Sequence, residues 1–397
     1  MKDIVIIANF VGGLHGTDNN RFPYLANMLC KDNDVELVAS TFCHGEKARR
    51  TNVFDYPFKV TLLEEPGYRK NICLKRFWSH YVWGRNVIKY LKSRKNPDVV
   101  YCAVPSLTAP AKVSEYCKRN GIRFIVDVQD LWPEAFQMVF KVPVLSRFFF
   151  APFKHLADKA YGNADEVVAV SQTYVDRALA VNKKDAKGFS AFIGTNLKTF
   201  DENVKNNLDK IKQKFQKKDE LWLGYCGSLS KSYDLPSVFD ALSVLGSQGK
   251  AVPKFIVMGD GPQRNEFESI AKIKEIDALF TGRIPYDEMC ALLSLCDIVV
   301  NPIIGTSVAS IINKHADYAA VGRPVINTQN SDEYRNLIVS YNMGYNCRSG
   351  DFLGMANCIN QLEADSQQRI SMGKNARRCA EEKFDRNYTY TQIAKVI

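Results

Sequence analysis

Short apolar runs alternate with amphipathic stretches along the whole chain. In the first half the runs predict strands at 3–9, 35–41, 99–103, 123–127 and 166–171. In the second half they predict strands at 221–226, 254–258, 278–281, 298–301 and 324–327. Most lack the polar alternation of a half-exposed strand, as strands covered on both faces do in parallel sheets. Between them, apolar positions recur at helical spacing, for example over 236–246 and 263–273. Strand–helix alternation in both halves predicts an α/β protein of two doubly wound, Rossmann-like parallel-sheet domains. The polar, basic stretch 194–220 is the expected join. The expected division is a domain at 1–195, a linker at 196–220, a domain at 221–375 and a C-terminal helix at 376–397. Whether that helix crosses back to the first domain is left open.

Length supports two domains, since 397 residues is about twice a common domain size. With 46% hydrophobic and 24% charged residues, the composition is neither disordered nor fibrous. No apolar run approaches the roughly 18 residues of a membrane-spanning helix. Residues 1–7 are too short and too acidic for a signal peptide and read as the start of the first strand. Eleven cysteines without a Cys-x-x-Cys pair read as buried free thiols of a reducing cytoplasm. Five histidines without metal-binding spacing leave no metal or other cofactor expected.

The net charge of +10 is unevenly placed. Residues 1–200 hold 29 Lys/Arg against 19 Asp/Glu, whereas residues 201–397 hold 24 of each. The first half is therefore expected to meet an anionic partner. Between Tyr68 and Lys95 lie nine basic residues and no acid, interleaved with Phe77, Trp78, Tyr81, Trp83 and Tyr90. Basic residues mixed with aromatic ones suit an anionic membrane surface. A solvated basic helix and a buried aromatic segment are the plainer alternatives. The stretch 143–154, with Phe148, Phe149 and Phe150, is a second candidate for lipid contact.

Candidate chemistry concentrates after the strands of the second half. The run ending at Cys226 continues into Gly227-Ser228-Leu229-Ser230-Lys231 before a helix near Pro236. Small residues there let backbone N–H groups approach a diphosphate, and Lys231 with the helix N-terminus adds positive charge. An ordinary βα turn reads the same way. Gly259-Asp260-Gly261-Pro262 and Gly282-Arg283 repeat the pattern of a strand followed by glycine. Asn313 and Asp317 are four apart on the helix expected to begin near Ser310 and end at Gly322, so they share one face, with Lys314 beside them. A carboxylate at Asp317 can accept hydrogen bonds from both hydroxyls of a ribose, and Lys314 can neutralise phosphate. An acid–lysine pair on a wet helix face is the plainer alternative.

Taken in order, the glycine turn with lysine, Gly-Asp-Gly-Pro, Phe-Thr-Gly, Asn-Pro, and an acid ahead of Ala-x-Gly-x-Pro-Val resemble the C-terminal domain of the family 4 retaining glycosyltransferases. The resemblance is strong over 221–328 and looser elsewhere. It implies the GT-B architecture, with two domains facing across a cleft. It also implies a nucleoside-diphosphate sugar donor, UDP by default and GDP as the alternative. Lys231 is then expected on the donor diphosphate and Asp317 on the ribose. Gly227, Ser228, Gly259, Gly261, Arg283, Asn313 and Lys314 complete the expected donor site. Two positions depart from the family pattern. Ala309 stands where a glutamate usually contacts the donor sugar, and Ser228 stands in place of the usual arginine. Both leave the donor sugar undetermined.

In the first half, the loop after the first strand contains Gly12 and Gly13, which match the family's first loop and are expected near the reacting sugar and phosphate. Asp127-Val128-Gln129-Asp130-Leu131-Trp132-Pro133-Glu134 clusters acids at the carboxyl end of a strand. By resemblance Asp130 faces the acceptor hydroxyl, whereas a helix cap is the plainer reading. The subgroup resembled makes bacterial O-antigen, capsule and related surface polysaccharides. It implies a polyprenyl-diphosphate-linked acceptor and a cytoplasmic protein peripheral to the inner membrane. A GT-B-like sugar-nucleotide epimerase and a non-catalytic sugar-nucleotide-binding protein remain as alternatives. Nucleic acid is not expected as a partner, because no recognised nucleic-acid fold signature accompanies the basic residues.

Overall fold

In the computed structural model, residues 1–12, 14–15, 20–71, 73–134, 143–305 and 311–397 are described, without side-chain placement for 143–149. The chain divides into two compact units, Met1–Phe192 with Thr389–Ile397, and Ile193–Tyr388.

The first unit is built on seven strands: β1 (Asp3–Ala8), β2 (Asp34–Ser40), β5 (Lys59–Leu63), β6 (Val99–Val104), β7 (Arg123–Val128), β8 (Glu166–Ala169) and β9 (Lys187–Ser190). Their order is β5-β2-β1-β6-β7-β8-β9, and every pairing is parallel. A small antiparallel hairpin, β3 (Phe42–Cys43) and β4 (Ala48–Arg49), follows β2. The central strands β1, β6 and β7 are buried almost throughout, which is why they read as unbroken apolar runs.

The second unit holds β10 (Trp222–Cys226), β11 (Lys254–Met258), β12 (Ala278–Gly282), β13 (Ile298–Asn301), β14 (Val325–Asn327) and β15 (Gly344–Asn346). Their order is β12-β11-β10-β13-β14-β15, again all parallel. The chain winds outward from β10 in one direction and from β13 in the other. The carboxyl end of β10 is therefore a topological switch point, where such sheets form their crevice.

Two sequence expectations need correction. The stretch 196–220 is not an open linker. Most of it is a helix, Leu197–Phe215, in the second unit. Asn196 caps it by accepting from the Thr199 N–H, and Leu197, Phe200 and Ile211 turn inward. It packs on the helix Tyr286–Leu295, with Lys210 and Glu288 paired at 2.7 Å. The C-terminal region is also not one helix. Ser366–Cys379 is followed by a wide turn at Ala380–Phe384 and then by Arg386–Val396. No helix among the described residues is long and apolar enough to cross a membrane.

Candidate donor and acceptor sites

The second unit carries a cavity of about 770 Å³ at the carboxyl ends of β10, β11 and β12. Cys226, Gly227 and Ser228 form one wall, Met258 to Gly261 another, and Arg283, Ile284 and Met289 a third. Of the residues expected at the donor site, Gly227, Ser228, Gly259, Gly261 and Arg283 line this cavity, whereas Lys231, Asn313, Lys314 and Asp317 do not. The two glycine turns are packed on each other. The Gly227 N–H donates to the Met258 carbonyl at 2.9 Å, and the Leu229 N–H to the Asp260 carbonyl at 3.0 Å. Gly259 has φ +148°, and a Cβ there would lie 1.8 Å from the Gly227 oxygen. Glycine at 259 is thus required by backbone approach, whatever the cavity binds.

Lys314 comes up from below this wall. The helix Asn313–Ala320 is held to the end of β10 by the Cys226 N–H, which donates to the Tyr318 hydroxyl at 3.0 Å. Its first turn is fixed by the Ile312 N–H, which donates to His315 Nδ1 at 3.2 Å. Lys314 lies one turn before Tyr318, on the face turned to the sheet. It is 8% exposed, so it is not on a wet helix face. Its Nζ sits 4.3 Å from the Tyr225 ring centre and 3.9 Å from that of Tyr233. A Cβ on Gly227 would stand 2.7 Å from Nζ, so glycine at 227 leaves the room that the ammonium group occupies beside the cavity wall. Among the described residues Nζ has no hydrogen-bond partner. Burial pushes its pKa down to about 7, opposed weakly by the Cys226 thiol.

Asn313 and Asp317 lie on the adjoining face of the helix. Asn313 is exposed and Asp317 half-buried. The Tyr286 hydroxyl donates to Asp317 Oδ1 at 2.7 Å and lies 2.9 Å from Thr195 Oγ1. Burial raises the Asp317 pKa to about 6, against the lowering effect of the Tyr286 bond and of Arg386. Lys231 is exposed on the turn after Leu229 and is not part of the cavity wall. The helix N-terminus expected to face an anion, Leu235–Ser247, is already capped: Asp234 accepts from the Ser237 N–H at 3.3 Å and from its hydroxyl at 2.7 Å. Its dipole therefore meets a carboxylate of the chain itself. Gly13 and Ala309 lie outside the described residues.

In the first unit, the carbonyls of Val11 and Gly12 both accept from the Arg50 guanidinium, at 2.5 Å each, which fixes the loop after β1. Asp127 is not available to a substrate. It is fully buried in a two-pronged pair with Arg21, at 2.8 and 3.1 Å. Asp130 is half-buried, accepts from the Trp132 indole N–H at 3.0 Å, and has its pKa raised by burial. The basic stretch forms the helix Leu74–Ser93. Leu74, Trp78 and Tyr81 stand on its exposed side, at 81%, 57% and 39% exposure, with Lys75, Arg85 and Lys89 around them. Arg76 does not belong to that surface, because its side chain is buried among rings.

Residues 220–365 match the family model described as Glycosyl transferases group 1. Over its full length the chain superposes on solved glycosyltransferase-type structures. Anabaena HepE, solved in complex with UDP-glucose, aligns with 100% of this chain and 99% of its own, at TM-score 0.69 and 16% identity. This protein has the GT-B fold. Sucrose-phosphate synthase from Thermosynechococcus elongatus gives TM-score 0.72 at 14% identity, covering 100% of this chain and 98% of its own. By sequence, the chain is 24% identical over 244 residues to the capsular polysaccharide biosynthesis glycosyltransferase CapM of Staphylococcus aureus. That match covers 58% of this chain and 60% of CapM, so the chain spans less than two thirds of the curated relative's length. The glycine-lined cavity of the second unit of this GT-B protein lies within the residues that match the family model.

Sequence reasoning missed three features of the site. Tyr225 and Tyr233 flanking Lys314, and Tyr286 holding Asp317, carried no local signal, because only the folded chain brings them there. The burial of Lys314 was legible in part, since Lys314 and Tyr318 share one face of the helix.

Proposed function

We propose that this protein is a retaining glycosyltransferase of the family 4 type. It moves a sugar from a nucleoside-diphosphate donor, UDP by default, to a lipid-linked sugar acceptor in bacterial surface polysaccharide assembly. The observation that carries the reading is the glycine-walled cavity at the β10 switch point, with the buried Lys314 ammonium group beside Gly227 lacking a hydrogen-bond partner among the described residues. Such a site suits a diphosphate. The glycine turns admit its oxygens close to backbone, and Lys314 supplies charge from below. Lys231 and Arg283, both exposed, supply charge from the solvent side. Asp317, steadied by Tyr286, is suited to the ribose hydroxyls.

In the retaining reaction the acceptor hydroxyl attacks the anomeric carbon from the side the diphosphate leaves, and a donor phosphate oxygen takes the hydroxyl proton. The protein's part is to position both substrates and to stabilise charge on the departing diphosphate. Asp130, at the carboxyl end of the first sheet, orients the acceptor hydroxyl. The exposed Leu74, Trp78 and Tyr81 with their basic neighbours suit the headgroup region of an anionic membrane, where a polyprenyl-linked acceptor resides.

A thermal-shift screen of the full chain against a panel of nucleotide sugars tests the donor assignment. One nucleoside-diphosphate sugar should raise the midpoint, Asp317→Ala should reduce that shift, and Lys231→Ala should mainly slow turnover. Equal behaviour of both variants and the parent protein would contradict the site. Conversion of a sugar nucleotide without an acceptor would point to the epimerase instead.

A further inference from the structure

The first unit carries a second cluster that the donor site does not use. β1 runs into Phe10, and β7 runs into Asp130 and Trp132. The helix Leu74–Ser93 contributes Arg76 and His80, the segment before it contributes Tyr68, and the β3–β4 hairpin brings His44 and Lys47. The Arg76 guanidinium lies 4.5 Å from the Trp132 ring centre and 5.5 Å from those of Phe10 and Tyr68. Phe10 and His44 are 4.5 Å apart, and His80 stacks on Trp132 at 5.8 Å. Trp132, Tyr68, His80 and Arg76 are buried, whereas Phe10, His44, Lys47 and Asp130 are half-exposed and form the rim.

Arg76 is 6% exposed. Its Nη1 donates to the Asn71 carbonyl at 2.8 Å, while among the described residues Nε has no partner and no carboxylate forms an ion pair with it. The Asp130 charge attracts Arg76 and the Tyr68 hydroxyl hydrogen-bonds it, but among the described residues neither nearby acid closes an ion pair on it. Glu65 accepts from Asn9, Ser40 and Ser79 at 2.6–2.8 Å, and Asp130 accepts from the Trp132 indole. Burying a guanidinium without a carboxylate in ion-pair contact costs several kcal/mol, and the Asp130 charge together with the ring faces, the latter about 0.5–2 kcal/mol each, offsets part of that. Both histidines are neutral, since burial and Arg76 push His80 down to about 3, and burial with Lys47 and Arg76 pushes His44 down to about 4. The positive charge therefore belongs to Arg76 and Lys47. A rigid guanidinium fork with a free N–H matches an oxyanion, and flat rings match the C–H face of a sugar.

We propose that this cluster binds a sugar bearing an oxyanion, with Arg76 on the oxyanion, the rings against the sugar face and Asp130 on a hydroxyl. That this sugar is the acceptor rests on the glycosyl-transfer reading, but the binding itself does not. The oxyanion has two possible sources, the carboxylate of a hexuronic acid or a phosphate ester.

Tryptophan fluorescence of the full chain, titrated with glucuronate, glucose 1-phosphate, glucose and inorganic phosphate, tests the proposal. One of the two anionic sugars should bind about tenfold more tightly than glucose and than phosphate alone. Which one does so names the oxyanion. Trp132→Phe should remove the fluorescence change. Arg76→Lys, which keeps the charge but loses the fork, should weaken binding about tenfold. Lys47→Gln, at the half-exposed rim, should weaken it severalfold and serves if the Arg76 variant does not fold. Equal binding of glucose and the anionic sugars, phosphate binding as tightly as either sugar, no binding by either, or unchanged binding in folded Arg76→Lys would each overturn the proposal. A parallel UDP titration reports on the second unit, so failure there is distinguishable from failure here.

Discussion

Lys314→Met replaces a buried ammonium group by an apolar chain of similar length, and the two sides of the argument predict opposite effects. Burial lowers the Lys314 pKa from 10.5 to about 7. At about 1.36 kcal/mol per pKa unit, charging Lys314 costs on the order of 5 kcal/mol more in the fold than in the unfolded chain. The sign follows from proton counts. Between pH 7 and 10.5 the unfolded chain holds the Lys314 proton and the folded protein has largely lost it, so stability rises with pH across that window. Below about pH 7 the full penalty is present. Met carries none of it. The variant should therefore be more stable than the parent protein below neutral pH, by several kcal/mol at most, with the advantage shrinking toward pH 10.5. Comparing the two proteins removes contributions from every other titrating group. The same substitution should cost donor affinity. A charge-assisted bond to phosphate contributes about 1.5–3 kcal/mol, or roughly 10–100-fold in Kd. Urea denaturation at several pH values, with nucleoside-diphosphate titration at pH 7, reads both effects. A variant that is less stable at every pH and binds the donor unchanged would make Lys314 a structural residue and refute the reasoning.

Gly259→Ala drives a Cβ to within 1.8 Å of the Gly227 oxygen at φ +148°. It should destabilise the protein by about 3 kcal/mol and abolish nucleotide binding, measured by thermal melting and titration. Asp127→Ala leaves the Arg21 guanidinium buried without its counter-ion, and should cost about 3–5 kcal/mol in urea denaturation. Reversing Lys75, Arg85 and Lys89 to Glu should weaken binding to anionic liposomes at least about 100-fold in a flotation assay, with donor binding unchanged. Equal flotation would remove the membrane from the proposal.

The sequence determined the two-sheet architecture, because the central strands are covered on both faces. A strand such as β6 or β13 must then be apolar along its whole length, and that is visible without coordinates. It did not reveal β5, β9 or β15. These lie toward or at the sheet edges, are short and partly exposed, and so lack the apolar run that marks a strand. The helix Leu197–Phe215 was misread for the reverse reason. Its charge drew attention away from the helical spacing of Leu197, Phe200, Leu208 and Ile211. At the candidate donor site, residue order alone marked the glycine turns, since a strand entering a Gly-rich turn is local information. Only the tertiary structure decided which positive group sits beneath the cavity. Lys231 and Lys314 are alike as letters. Packing of Tyr318 against the end of β10 buries one, and the turn leaves the other in water. The same holds for Arg76, a member of a basic run in the sequence and an ion enclosed by rings in the fold. Burial and partner choice arise from contacts between segments far apart in the chain, and no local pattern encodes them.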